Sequence, residues 1–126
     1  MSSKGKIWLQ WILIVILSSQ FIGAAFAKLL GFMCGHFLDH GSSIGFMYLV
    51  GFAEAVTVVM LYVRAYRKLA VMVQMLIMIG AIYTHAINGQ MLLALFGVAT
   101  IGLLAIVLWV DVDRELDYET VKFLRD

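Results

Sequence analysis

Residues 49–63 read LVGFAEAVTVVMLYV, and Glu54 is the only charge among them. An ionised carboxylate surrounded by hydrocarbon costs several kcal/mol unless a counter-charge answers it. The stretch therefore makes two demands on the fold. It needs an apolar solvent for Val, Leu, Phe and Met, and it needs a partner for Glu54.

The rest of the chain meets the first demand. Of 126 residues, 63% are hydrophobic and 13% charged, whereas a soluble domain is roughly a quarter charged. A surface this poor in charge belongs in lipid, so an integral membrane protein is expected. The formal net charge of +1 and the lack of a basic patch argue against a nucleic-acid partner. There is no proline to break a helix, and Cys34 is the only cysteine. An internal disulfide, a CxxC redox pair and a cysteine-based zinc site are thereby excluded.

A membrane-crossing helix takes roughly 20 mostly apolar residues. Four runs qualify, at about 7–30, 45–63, 69–87 and 90–110. Lys4 and Lys6 precede the first, and Ala25-Phe26-Ala27 imitates a cleavage site. The run from Ile7 to Leu30 nonetheless exceeds the roughly 7–15-residue core of a signal peptide, and it is expected to stay as a transmembrane helix. The separators are short: GFMCGHFLDHGSSI at 31–44, RAYRK at 64–68 and NGQ at 88–90. Short links make sequential helices antiparallel neighbours. The expected fold is all-α, an integral membrane up-down four-helix bundle over residues 1–110. A charged tail, 111–126, follows as a short amphipathic helix on the membrane surface.

Charge asymmetry sets the expected orientation. Lys4, Lys6, Arg64, Arg67, Lys68, Arg114, Lys122 and Arg125 fall on one side, and only Lys28 on the other. The basic side, holding both termini, should face the cytoplasm or the mitochondrial matrix. Trp8, Trp11 and Trp109 lie near that same boundary, where indoles prefer to sit.

Polar residues inside the spans are functional candidates. With 1.5 Å of rise per residue, Lys28, Glu54, His85 and Gln20 all fall in the outer half, so they are expected to form one polar pocket. Lys28 is the expected counter-ion of Glu54, with His85 or Gln20 filling its remaining lone pairs. An ion pair that only fixes helix register is the plainer alternative. Gly23, Ala27, Gly31, Gly51, Ala55, Gly97 and Gly102 are the small residues expected at close helix contacts. His36, Asp39 and His40 form H-x-x-D-H in the outer loop, with metal-ligand spacing if helical. Solvated loop residues are the plainer reading, and no metal is assigned. Met72, Met75 and Met78 read as flexible apolar filler.

Three stretches, FIGAAFAKLLGF (21–32), YLVGFAEAV (48–56) and RAYRKLAVMVQMLIMIGAIYTH (64–85), together resemble the DoxX-like family of small four-helix membrane proteins. Its pattern of a glycine and a lysine late in helix 1, G-x-x-E in helix 2, an arginine opening helix 3 and a histidine near its end falls here on Gly23, Lys28, Gly51, Glu54, Arg67 and His85. The resemblance covers about residues 20–110. The long soluble insert of many relatives is missing, and the tail is brief and acidic. The resemblance implies either membrane subunits of quinone-linked redox complexes or, in a small animal branch, chaperones for receptor assembly. The expected function is a non-catalytic accessory subunit of a larger membrane complex, redox or respiratory, embedded in lipid beside other membrane subunits. Its pocket would hold a quinone or a lipid, with no cofactor otherwise. The alternatives are an assembly chaperone for oligomeric membrane proteins, and a small membrane subunit of a quinone-reducing enzyme.

Overall fold

A computed structural model describes residues 2–126. Five helices account for most of them: α1 (Ser3–Leu29), α2 (Cys34–Asp39), α3 (Ile44–Leu61), α4 (Arg64–Ile87) and α5 (Met91–Arg125). No strand occurs among the described residues. Four helices, α1, α3, α4 and α5, are long and apolar enough to cross a membrane.

The helix ends follow from local chemistry. Ser2 caps α1 by accepting from Gly5 N–H at 3.1 Å, and Ser43 caps α3 by accepting from Phe46 N–H at 3.0 Å. Gly31, Gly41 and Gly89 take φ of 81°, 76° and 74°. Each ends a helix with the same paired closure; after α1, Phe32 N–H donates to Ala27 O at 2.9 Å and Gly31 N–H to Lys28 O at 3.1 Å.

Two boundaries differ from the sequence expectation. Arg64 to Lys68 form the first turn of α4 rather than a loop, leaving only Tyr62 and Val63 between α3 and α4. Arg and Lys are good helix formers, so their charge does not break the helix. The expected separate surface helix at 111–126 is also corrected: α5 runs unbroken to Arg125. No glycine or proline lies beyond Gly102 to stop it. Lys6 reaches Asp113 at 2.5 Å, and Lys68 pairs with Glu115, so α1 and α4 hold the extension from both flanks. At 35 residues and 1.5 Å each, α5 is about 52 Å long, well beyond the roughly 30 Å of a bilayer core.

α1 packs against α3 and α5, and α4 packs against the same two from the opposite side. Between them sits a core of Leu13, Ile14, Leu17, Phe21, Val58, Leu61, Ala70, Val71, Leu104 and Val107. Leu76, Leu92, Phe52 and Val59 point outward and are exposed, the inverse of a soluble protein and the pattern that lipid contact requires. A buried ion pair lies at each end of this core, and the buried polar side chains Ser18, Thr57, Gln74 and Thr100 lie between the two pairs.

Candidate functional site: an outer cavity and its buried ion pair

At one end, Lys28 on α1 meets Glu54 on α3. Lys28 Nζ donates to Glu54 Oε1 at 3.0 Å and to Oε2 at 3.1 Å. The side chains are 10% and 1% exposed. Gly51 makes the approach feasible: a Cβ there would sit 2.9 Å from Lys28 Cβ, so only hydrogen lets α1 and α3 close at this level. An ammonium carries three N–H donors. Two serve Glu54, and Lys28 also borders the space beside the pair.

That space is a cavity of about 540 Å³ bounded by all five helices. Gln20, Lys28, Glu54 and His85 all line it, together with His36 and His40. Apolar side chains, among them Phe37, Val50, Met78 and Phe96, make up most of the rest.

The internal wiring is different from the expected one. Gln20 donates from Nε2 to Thr100 Oγ1 at 2.9 Å, and Thr100 in turn donates to Phe96 O at 3.0 Å. His85 Nδ1 lies 2.7 Å from Gln90 Oε1. Among the described residues, neither of these hydrogen-bonds Glu54, and its carboxylate is paired with Lys28 alone. Glu54 is tied to α4 through its backbone instead: Thr57 Oγ1 donates to Glu54 O at 3.0 Å, and Gln74 Nε2 donates to Thr57 Oγ1 at 3.1 Å.

α2 brings His36 and His40 over the cavity, with ring centroids 4.1 Å apart, and the His85 ring lies 5.6 Å from His36. Burial, then the neighbouring charges of His40, His85 and Lys28, hold the His36 imidazole below its ordinary pKa, with Asp39 opposing. Asp39 itself is exposed. Among the described residues, no three of His, Cys, Asp and Glu are arranged to hold a metal ion.

The small residues divide by position. Gly97 permits a close contact, since a Cβ there would fall 2.7 Å from Ile82 Cγ1 on α4. Gly31 ends α1. Ala27 and Ala55 are half-buried. At Gly23 and Gly102 a Cβ would meet nothing within 4 Å, so these two mark open surface and not a helix contact.

The opposite end holds a network that sequence reasoning passed over. Arg67 Nη1 donates to Asp111 Oδ1 at 3.0 Å, and Gln10 Nε2 donates to the same oxygen at 2.8 Å. Arg67 Nε donates to Leu61 O at 2.7 Å, satisfying a terminal carbonyl of α3. The guanidinium also lies 5.4 Å from the Trp11 ring centroid. One arginine thus joins residues of α1, α3 and α5 to α4. The signal was present: Gln10 and Asp111 lie near opposite chain ends of antiparallel spans, and so at one depth.

No protein-family model, no curated protein and no solved structure matches this chain.

Proposed function

We propose that the protein is an integral membrane, up-down four-helix bundle of the DoxX-like kind that serves as a non-catalytic accessory subunit of a larger membrane complex with redox or respiratory partners. Its outer cavity holds the head of a quinone or a lipid. The termini lie on the cytoplasmic or matrix side, with the cavity near the opposite face. The cavity is the observation that carries this reading. At about 540 Å³ it falls within the roughly 300–1,000 Å³ typical of small-molecule sites, and a few convergent polar groups in an apolar lining are their usual make-up. Lys28 and Glu54 satisfy each other, so the pair supplies a net-neutral binding wall. An assembly chaperone that offered those charges to client helices would leave them open.

The test is purification of the tagged chain from native membranes in styrene–maleic acid discs, followed by subunit quantification and mass spectrometry of extracted lipids. Stoichiometric membrane subunits and a lipid-soluble molecule enriched over the surrounding bilayer are expected. Lys28→Met/Glu54→Leu should lose the enriched molecule and keep the subunits. Partners that are substoichiometric and exchange freely would favour the chaperone. An extract identical to bulk lipid would refute the cavity reading.

A further inference from the structure

We propose that α2 is an acid-latched lid over the outer cavity, held down when His40 is protonated and released when it is neutral. The proposal adds regulation to the ligand-cavity reading above; the latch itself is a property of α2 and can be measured with no ligand.

α2 is built to move. It has six residues, none of them buried. It is bounded by Gly31 and Gly41, both at positive φ, and its aromatic contact with α3 is the loose pair Phe37–Phe46, with ring centroids 6.4 Å apart. Yet its His36, Phe37 and His40 form part of the cavity wall. Moving α2 therefore uncovers the cavity.

The His40 ring supplies the latch. Its Nδ1 lies 2.6 Å from the His36 backbone oxygen, which can only accept, so Nδ1 carries a hydrogen. Its Nε2 lies 3.3 Å from Gln90 Oε1, which already accepts from His85 Nδ1 at 2.7 Å. A neutral imidazole has a single N–H. With that hydrogen on Nδ1, the lone pair of Nε2 faces the lone pairs of an amide oxygen. An imidazolium has two N–H groups and satisfies both oxygens at once. Protonation thus converts a repulsive contact into a charge-assisted hydrogen bond that ties α2 to the turn between α4 and α5.

The surrounding charges permit this. His36 and Asp39 lie in α2 and His40 directly follows it as the C-cap, while Lys28 comes from α1, Glu54 from α3 and His85 from α4. α5 and the turn before it offer only the uncharged Gln90. Lys28 is matched by Glu54. His85 is a donor to Gln90 in its neutral form, and His36 is held toward its neutral form. A proton on His40 therefore meets no unmatched cation at the mouth, and the exposed Asp39 carboxylate is its sequence neighbour.

The experiment uses the full chain in phosphatidylcholine nanodiscs with Cys34→Ser and Leu38→Cys, and a nitroxide at position 38. Leu38 is an exposed residue of α2. Electron paramagnetic resonance line shapes are recorded from roughly pH 8 to 5, the range in which imidazoles titrate. The mobile component should dominate at the alkaline end and be lost toward the acid end. His40→Gln and Gln90→Met should abolish the pH response. His36→Gln keeps the backbone oxygen that His40 uses and should preserve it. A flat profile overturns the proposal, as does a response that survives in His40→Gln. Release on acidification also overturns it, since that is the sign given by a Gln90 amide turned to present its NH2 group to His40. Because no ligand is present, these outcomes are independent of whether the cavity is ever occupied.

Discussion

Breaking the Lys28–Glu54 pair one side at a time should cost far more than removing both. Glu54→Leu leaves the Lys28 ammonium in a site where its side chain is 10% exposed, with both of its acceptors gone. Truncating one partner of a buried pair typically destabilises by about 3–5 kcal/mol, whereas replacing both by apolar groups is often neutral. Lys28→Met keeps most of the alkyl stem against Gly51 and strands the carboxylate instead, with a similar loss. The double variant Lys28→Met/Glu54→Leu should then recover most of either loss, giving a coupling energy of about 3 kcal/mol or more in a double-mutant cycle. Glu54→Gln retains the shape and one acceptor, and falls between wild type and Glu54→Leu. Reversible unfolding in mixed micelles, read by tryptophan fluorescence, supplies the four free energies. Trp8, Trp11 and Trp109 lie toward the Arg67–Asp111 end of the bundle, away from Lys28 and Glu54, so the probe does not touch the substitution. If Glu54→Leu unfolds at the wild-type denaturant concentration, or if the two single losses simply add, Lys28 and Glu54 do not stabilise each other and the reasoning fails.

Two further outcomes follow from the same geometry. Asp111→Ala should destabilise by about 3–5 kcal/mol, because it strands Arg67 at 3% exposure. Asp113→Ala, two residues along the same helix but part-exposed in its pair with Lys6, should cost far less in the same unfolding assay, because water screens an exposed pair. Gly51→Ala forces a carbon to within 2.9 Å of Lys28 Cβ and should lower stability by about 1–3 kcal/mol. Gly23→Ala meets nothing and should be neutral or slightly stabilising, since alanine favours the helix.

The sequence disclosed the four long apolar helices and the polar residues now found around one cavity for a simple reason. In hydrocarbon every charge is conspicuous, and depth can be counted at 1.5 Å per residue. Lys28 and Glu54 stood out on those grounds. What it did not disclose is which donor meets which acceptor. Gln20 and His85 are at a suitable depth for Glu54, yet rotation about the helix axis delivers them to Thr100 and Gln90. Residues near the boundary were misread for the opposite reason. Arg67 and Asp111 sit among other charges at the ends of the apolar runs, where solvation is the ordinary reading, and only tertiary packing buries them. The continuity of α5 was hidden by the same abrupt change in composition after Val110, which alters what surrounds the helix without ending it.

The ten apolar side chains packed between the two ion pairs have an electrical consequence. Once the protein lies across a bilayer, that layer, interrupted only by the neutral side chains of Ser18, Thr57, Gln74 and Thr100, is the dielectric of a small capacitor, with polar plates at Lys28–Glu54 and Arg67–Asp111. Most of any voltage falls across the hydrocarbon, and little across either plate.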